Sequence, residues 1–245
     1  NYRQLSVGKI FLSFKDGEFE YFSPYGLSVS SNTEKTDPVA EIIMEGGTAL
    51  IYTSKLKIYD GRFLTDFAKY IDLCTRIEDE SAIKITDELK SYIGASSTSE
   101  DRHSTLIQMM ERGVVIHHGS MPLKARLLVE RFIRFGYAKI CLSTSTLAQG
   151  INMPFDVVWI DNFMDMKELT LKNLIGRSGR TRKDKPEFDF GYTVIKSANV
   201  KTFSERITED VELTSVSPLD RELSEVDADD YDIVDAVQND TFNDD

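Results

Sequence analysis

The segment "NLIGRSGRTRK", residues 173–183, places two arginines three positions apart, and each of them directly follows a glycine. Three residues are close to one helical turn, so Arg177 and Arg180 are expected to project from one face of a helix. Gly176 and Gly179 lack the side chains that would keep another surface away. Guanidinium groups stay charged and offer forked donors to phosphate oxygens. The segment predicts a closely approached anion, or else a helix end with exposed salt bridges.

Polar segments that contain small residues follow several of the predicted strands. They read "TSK" at 53–55, "HHGSM" at 117–121, "STSTLAQGINMP" at 143–154 and "IDNF" at 160–163. Open parallel sheets bind ligands at the carboxyl ends of their strands, and hydroxyl groups and backbone amides suit phosphate oxygens. A structural interpretation stands beside this one, because Ser and Thr often cap helices. We predict no metal site at His117 and His118, since adjacent strand residues face opposite ways and no Cys or carboxylate cluster joins them.

The pattern that positions these segments alternates short apolar strands with amphipathic helices from about residue 42. This alternation predicts one α/β domain with a mostly parallel sheet and helices on both faces. The clearest helix covers 121–135, with Leu128, Phe132 and Phe135 on its apolar seam. The predicted strands are Ala49–Tyr52, Val114–His117, Lys139–Leu142, Val157–Ile160 and Tyr192–Ile195.

The first residues predict a β-hairpin. Asp16 and Gly17 suit a type I′ turn, which sets Phe14 opposite Phe19 and Lys15 opposite Glu18. Residues 23–40 are rich in Ser, Pro, Asn and Thr, which is typical of a linker. We therefore divide the chain into a hairpin and linker (1–45), the α/β domain (46–204) and an acidic segment (205–245).

The net charge of −12 is concentrated at the carboxyl end. Residues 205–245 contain 15 Asp or Glu against two Arg, whereas residues 113–185 contain 12 Lys or Arg against 6 Asp or Glu. Such an acidic segment is expected to be solvated or partly disordered, or to act as an acidic strip that competes for a basic groove. No apolar run reaches membrane-spanning length and no signal-peptide pattern is present, so neither a membrane span nor secretion is supported. Cys74 and Cys141 fit core thiols in a reducing cytoplasm.

The segment "GVVIHHGSMPLKARLLVERFIRFGYAKICLSTSTLAQGINMP", followed by "NLIGRSGR", resembles the second RecA-like domain of superfamily 2 helicases, among the DExH enzymes close to the DEAD-box enzymes. The resemblance covers about residues 46–197. Each motif is weak by itself, but the HHG turn, the T-L-A-x-G-I-N-x-P loop and the GR-x-GR segment occur in the family's order and at its intervals. Leu123 stands where DEAD-box members have glutamine, which disfavours that subgroup.

The resemblance implies a nucleotide site shared between two RecA-like domains. In such a site Arg177 and Arg180 reach the triphosphate as catalytic fingers, and the cofactor is ATP with Mg²⁺. The family's motifs further imply that Gly150, Asn152, Gly176 and Asn173 lie near the nucleotide. Asn173 replaces a glutamine or histidine of related enzymes, which shortens its reach toward the phosphates.

The resemblance also implies contacts to the backbone of one RNA or DNA strand. Thr53 and Ser54 match the family's first strand-end motif, Gly119 and Ser120 match its HG turn, and Thr144 matches a phosphate-contacting threonine. Arg126 matches an arginine that braces the HG turn, although a structural salt bridge is an alternative. Backbone contacts carry no sequence information, so this binding is expected to be nonspecific and sensitive to salt.

Two motifs of a complete motor are not in these 245 residues. The sequence has no G-x-x-x-x-G-K-[ST] phosphate loop, and "DELK" at 87–90 fails the D-E-x-D/H pattern. We therefore expect a carboxyl-terminal motor domain that is inactive alone and whose parent chain carries the other RecA-like domain, with the magnesium ligands, upstream. The alternatives are an ATPase-deficient nucleic-acid-binding or regulatory module, and a protein-remodelling component of a defence or repair system.

Overall fold

The computed structural model describes residues 8–26, 33–34, 37–95, 104–144, 155–164, 166–179 and 190–210. Within them, eight strands form one sheet in the order β3-β2-β1-β8-β7-β4-β6-β5. The strands are β1 (Gly8–Lys15), β2 (Glu18–Phe22), β3 (Thr33–Glu34), β4 (Ala49–Tyr52), β5 (Val114–His117), β6 (Ile140–Ser143), β7 (Val157–Ile160) and β8 (Phe190–Lys196).

Helices cover both faces of the sheet. They are α1 (Pro38–Met44), α2 (Lys55–Tyr59), α3 (Phe63–Asp66), α4 (Ala68–Ile71), α5 (Glu80–Ile93), α6 (Thr105–Glu111), α7 (Leu123–Arg134), α8 (Glu168–Ile175) and α9 (Val200–Thr208). One apolar core includes residues of α5, α7, α8 and α9, and the other includes residues of α1 to α4. None of the helices in the described ranges combines the length and the apolar character needed to cross a membrane.

The pairing of the central strands confirms the predicted α/β class. Among the described strands, β1, β8, β7, β4, β6 and β5 are parallel to one another in that order, and the β1–β2 and β2–β3 pairs are antiparallel. The apolar runs mark the strands well, because strands covered on both faces are nearly continuous in apolar residues. β4, β5 and β7 have the predicted bounds, β6 lies one residue later, and β8 is longer at both ends.

The helix predicted at 121–135 is shorter at both ends. α7 starts at Leu123, directly after Pro122, and ends at Arg134. Leu128 and Phe132 are buried as predicted, but Phe135 is 60% exposed, so its place on the apolar seam is wrong. Phe135 is the residue that caps the helix, and the chain turns directly after it at Gly136, where φ is +81°.

The amino-terminal hairpin has the predicted register, with Phe14 opposite Phe19 and Lys15 opposite Glu18. φ is positive at both Asp16 and Gly17, as a type I′ turn requires. The hairpin belongs to the same sheet as the predicted α/β domain, because β1 pairs along its length with β8. The rings of Phe14 and Phe19 also lie 4.9 and 6.1 Å from the ring of Trp159 on β7.

The linker predicted over 23–40 is wrong for residues 38–40, which begin α1. The Asp37 carboxylate accepts hydrogen bonds from the backbone N–H of Val39 and Ala40, at 3.0 and 3.1 Å, and Pro38 occupies the first helical turn. Asp followed by Pro is a helix-start signal that the polar composition of the region concealed. At the other end, α9 continues to Thr208, and the acidic residues from 211 onward lie outside the described ranges.

The hairpin should therefore contribute to the stability of the whole sheet. We expect Phe19→Ala to lower the free energy of unfolding by about 3–5 kcal/mol, because Phe19 is fully buried against Trp159. Urea unfolding followed by the fluorescence of Trp159, the single tryptophan, measures this. The exposed neighbour Glu20, changed to Ala, should shift the free energy by less than about 0.5 kcal/mol. A hairpin that folds independently of the sheet would leave the Trp159 transition unchanged in both variants.

Candidate functional site

The carboxyl ends of the central parallel strands meet at one edge of the sheet. Tyr52 of β4 pairs in register with Ser143 of β6 and Ile160 of β7, and Ser143 also pairs with His117 of β5. The residues that follow these strand ends therefore share this edge, as predicted for the polar segments. We call it the carboxyl edge, and its first residues are Thr53, His118, Thr144 and Asp161, joined by Lys196 at the end of β8.

Thr53 and Ser54 both have structural partners within the chain. The buried Thr53 hydroxyl donates to Asp161 Oδ2 at 3.1 Å, and the Thr53 N–H donates to the Ser143 carbonyl at 2.9 Å. Ser54 caps α2, because its Oγ accepts the N–H of Lys57 at 3.3 Å. The structural interpretation thus holds for both hydroxyls, and their contact with a nucleic-acid strand stays a prediction.

Thr144 is the buried hydroxyl of this edge whose partner the described residues do not supply. Its side chain is 3% exposed, and its N–H donates to the His117 carbonyl at 3.4 Å. Its Oγ1 has no hydrogen-bond partner among the described residues. Most buried hydroxyls in proteins have a hydrogen-bond partner, so Thr144 is a candidate to bind a group that the described residues do not supply. Residues 145–154 follow directly and include Gly150 and Asn152, which both lie outside the described ranges.

The HHG segment forms a turn between β5 and α7. Met121 N–H donates to the His118 carbonyl at 3.1 Å, which leaves Ser120 exposed and Gly119 half-buried. His117 Nε2 lies 2.9 Å from Glu130 Oε1 on α7 and so ties the end of β5 to that helix.

Arg126 has neither of the contacts considered for it. Its side chain makes no hydrogen bond or ion pair with any described residue, so both the brace and the structural salt bridge are unsupported within those ranges. The described residues also include no group of three or more His, Cys, Asp or Glu side chains that could hold a metal ion.

Asp161 is the centre of the carboxyl edge, and the sequence analysis did not single it out. Its buried carboxylate accepts the Thr53 hydroxyl and lies 2.9 Å from Lys57 Nζ and 2.6 Å from Lys196 Nζ. Burial acts to raise the pKa of Asp161, but the hydrogen bonds from Lys196 and Lys57 outweigh it and hold that pKa below its usual value. An acidic residue directly after the apolar run "VVWI" was the available signal, because β7 places it at a strand end.

Lys57 joins this cluster to a second carboxylate on the surface. Its Nζ lies 2.5 Å from Asp66 Oδ2 as well as close to Asp161. Burial acts to lower the pKa of Lys57, but the hydrogen bonds to Asp66 and Asp161 outweigh it and raise that pKa above its usual value. The pKa of Asp161 is lowered and that of Lys57 is raised, and both shifts favour the charged form of the side chain.

The glycine–arginine segment lies at the opposite edge of the sheet, and it is not helical where it is described. α8 ends at Ile175. The N–H groups of Arg177 and Ser178 then donate to the carbonyls of Leu174 and Ile175, three residues earlier, as in a tight turn. Ser178 then bridges to Phe155, which precedes β7. The prediction that Arg177 projects from a helical face is wrong, because residues 176–179 leave the helix to pair with Phe155. Arg180 lies outside the described ranges.

The glycines of this segment have structural roles within the chain, and their predicted part in ligand binding stays a prediction. Gly179 has φ +68°, a backbone conformation that glycine adopts at low cost and other residues rarely adopt. A Cβ on Gly191 of β8 would come within 2.4 Å of the Gly179 nitrogen. A Cβ on Gly176 would meet the carbonyl oxygens of its own helix at 3.2 and 3.3 Å. The close approach is therefore the turn packing on β8, within the protein.

Arg177 is buried in this turn, with 5% of its side chain exposed. Burial raises the pKa of Cys141 on β6, and the positive charge of Arg177 partly opposes that rise. Asn173, one turn earlier on α8, is exposed. Amide and guanidinium donors fit phosphate oxygens in kind. We call this edge, where the loops precede the parallel strands, the amino edge. In its described part, Asn173 is more accessible to solvent than Arg177.

The predicted site residues therefore divide between two edges. Phe155 at the amino edge and Asp161 at the carboxyl edge bracket β7, and six residues of extended chain span roughly 20 Å. Thr53, Ser54, Gly119, Ser120 and Thr144 belong to the carboxyl edge. Asn173, Gly176 and Arg177 lie toward the amino edge, so the predicted site residues occupy two opposite edges of one sheet.

Removing the charge of Asp161 should destabilise the carboxyl edge. We expect Asp161→Asn to lower the free energy of unfolding at pH 7 by about 1.5–3 kcal/mol, because Lys57 and Lys196 lose their shared partner. The pKa of Asp161 is lower in the folded chain than in the unfolded one, so its contribution is complete above the unfolded pKa of about 3.9 and is lost as pH falls through the folded value.

Urea unfolding of both proteins between pH 3 and 7 measures this difference. The difference should start to shrink near pH 4, where Asp161 of the unfolded wild-type chain starts to protonate while the folded carboxylate is still charged. Asp66→Asn is the control, because Asp66 bonds the same lysine from a more exposed position and should cost less than about 1 kcal/mol. If the difference in unfolding free energy between wild type and Asp161→Asn stays constant across this pH range, the loss comes from packing and not from charge.

The turn formed by residues 176–179, which we call the arginine turn, should depend on Gly191 for its close packing on β8. We expect Gly191→Ala to lower the free energy of unfolding by about 1–3 kcal/mol, because its Cβ meets backbone atoms of Ser178 and Gly179 that cannot move aside freely. Gly61→Ala serves as the comparison, since its Cβ would meet nothing within 4 Å and only its φ of +74° opposes the change. Thermal or urea unfolding measures both. A smaller loss for Gly191→Ala than for Gly61→Ala would contradict the close contact.

Known proteins resemble this chain over the elements that carry both edges. Residues 84–183 match the family described as "Helicase conserved C-terminal domain". The DExH-box ATP-dependent RNA helicase DExH14 of Arabidopsis thaliana is 27% identical over 157 residues, which are 60% of this chain and 7% of the relative. The ATP-dependent DNA helicase Hel308 of Thermoplasma volcanium is 25% identical over 183 residues, 71% of this chain and 24% of the relative.

A third relative is the probable ATP-dependent DNA helicase HFM1 of Mus musculus, 34% identical over 109 residues, which are 41% of this chain and 7% of the relative. The chain spans a quarter or less of the length of these relatives. The matched residues 84–183 include β5, β6, β7 and α8, with the HHG turn and the arginine turn between and after them. Residues 84–183 therefore match a helicase C-terminal domain, and the relatives similar to this chain are superfamily 2 helicases, consistent with the family that its motifs resemble.

Proposed function

We propose that this domain is the second motor domain of an ATP-dependent helicase or translocase, with ATP at the amino edge and one nucleic-acid strand at the carboxyl edge. One observation carries the proposal. The HHG turn and Thr144 lie at one end of the parallel strands, and the arginine turn lies at the other end. A domain that couples two ligands needs them on a common rigid element, and this sheet provides one.

At the amino edge, Arg180 is the proposed arginine finger and Arg177 its support. Arg177 is buried, so it suits anchoring the turn that precedes Arg180 in the sequence. Asn173 and Gly176 would border the triphosphate together with Gly150 and Asn152. ATP supplies the free energy of hydrolysis, and the residues of this chain would stabilise charge that develops on the transferred phosphate.

At the carboxyl edge, the proposed contacts are to the backbone of a single strand. The exposed Ser120 and the half-buried Gly119 offer a hydroxyl and backbone N–H groups, and Thr144 offers a hydroxyl without a described partner. Thr53, Ser54 and Arg126 would flank them. The proposal covers RNA and DNA alike, since the relatives are named for one or the other. Binding of this kind is nonspecific and weakens steeply with salt.

The remainder of the motor is proposed to lie outside these residues. An upstream RecA-like domain would carry the phosphate loop and the Mg²⁺ ligands, because this sequence contains neither motif. The domain alone would then not hydrolyse ATP. Two free, buried cysteines suit a reducing cytoplasm, which we propose as its compartment.

The test is ATP turnover by the intact protein, with and without single-stranded RNA or DNA. Arg180→Ala should lower strand-stimulated turnover by about 10²-fold or more, because a charge-stabilising donor is lost from the transition state. Oligonucleotide binding should be retained, since the arginine turn and the carboxyl edge are separate. The control is Arg76→Ala, which removes an exposed guanidinium that forms only a long ion pair with Glu111, at 3.8 Å.

The second candidate function is a nucleic-acid-binding or regulatory module without ATPase activity, favoured by the absence of a phosphate loop from this sequence. Strand binding without ATP turnover in the intact protein would establish it. Turnover that is indifferent to Arg180→Ala would refute the finger assignment while keeping the protein an ATPase.

A further inference from the structure

Tyr59 is a large aromatic side chain that the fold leaves in solvent beside the carboxyl edge. It is the last residue of α2 and is 64% exposed, as is Leu56 one turn before it. Single exposed apolar residues are common on protein surfaces, so exposure by itself indicates nothing. The position of Tyr59 is what distinguishes it.

α2 carries Tyr59 across the edge of the sheet. The helix starts directly after β4, and the Tyr59 ring lies 5.5 Å from the ring of His118, which directly follows β5. β6 lies between β4 and β5, so the two strands are roughly 10 Å apart. The Tyr59–His118 pair therefore bridges over the end of β6, where Thr144 begins the next loop.

The contact with His118 also orients the Tyr59 ring. The two rings meet edge to face, with 68° between their planes, which is a favoured arrangement for aromatic pairs. A ring held in this way loses little further freedom when it contacts a ligand, while most of its surface stays open. The next two residues after His118 are Gly119 and Ser120, which the proposed function assigns to phosphate contacts.

An oriented, exposed ring beside phosphate-binding groups is the arrangement that binds unpaired bases. Stacking on an aromatic side chain accepts every base, because each base has a π-face. Phosphate contacts alone hold a strand by its charge and leave the bases unsupported. We propose that Tyr59, oriented by His118, stacks on a nucleobase of the strand bound at the carboxyl edge. This inference rests on the proposed function and adds a base contact to its backbone contacts.

The experiment compares two oligomers that differ only in their bases. The purified chain is titrated at low salt, by fluorescence anisotropy, into a labelled oligothymidylate and into an abasic deoxyribose-phosphate oligomer of equal length. Tyr59→Ala should weaken binding of the thymidylate about fivefold or more and leave binding of the abasic oligomer unchanged. Tyr59→Trp should retain or strengthen thymidylate binding, because the indole offers a larger stacking face.

Tyr25→Ala is the matched control, because Tyr25 has the same exposed fraction, 64%, and lies after β2, remote from the carboxyl edge in the order of strands. It should leave binding of both oligomers unchanged. The midpoint of urea unfolding should equal the wild-type value in both alanine variants, which separates a lost contact from a damaged fold.

The outcomes distinguish this inference from the function on which it rests. If the wild-type chain binds neither oligomer, the carboxyl edge is not a strand site and both proposals fail. If it binds both oligomers and Tyr59→Ala changes neither affinity, the backbone contacts stand and the stacking contact is refuted. If Tyr59→Ala instead weakens binding of both oligomers equally, or lowers the unfolding midpoint, the ring supports the protein and the inference is overturned.

Discussion

The parallel register of β4, β5, β6, β7 and β8 is the constraint on which the rest of the structure depends. Each strand runs in the same direction as its neighbour, so every loop that follows a strand emerges at one edge and every loop that precedes a strand emerges at the other. The helices that return the chain must then cover both faces, which is why two apolar cores flank the sheet. The two candidate ligand sites follow from this geometry, because their residues come from opposite ends of the same strands.

Buried polar groups make the carboxyl edge rigid. A carboxylate removed from water is costly unless charges and hydrogen bonds compensate for it, and Asp161 receives both from Thr53, Lys57 and Lys196. Those partners come from the turn after β4, from α2 and from the end of β8, so one carboxylate connects three elements. His117 and Glu130 connect β5 to α7 in the same way. The edge is thus held by interactions between strand ends in addition to the strands themselves.

The amino edge is held by backbone contacts. The turn after α8 bonds to Phe155 before β7 and packs against Gly191 on β8, and Lys9 of β1 donates to the Ile175 carbonyl at the carboxyl end of α8. A cation at that end of a helix is favoured by the alignment of the peptide dipoles. The amino-terminal hairpin therefore takes part in positioning the arginine turn, and it also extends the cores: the rings of Phe11 and Phe22 lie about 6 Å from Phe203 on α9.

The elements whose signals are local could be predicted from the amino-acid sequence. Apolar runs marked the strands because a strand covered on both faces must be apolar throughout, and the pair Asp16–Gly17 specified the hairpin register because only a type I′ turn suits it. The order and spacing of the HHG and GR-x-GR motifs indicated the helicase family. The tertiary structure alone decided that β1 joins β8, that Arg177 is buried in a turn, and that Asp161 gathers two lysines. Each of these depends on residues distant along the chain, and no local pattern encodes which of them meet.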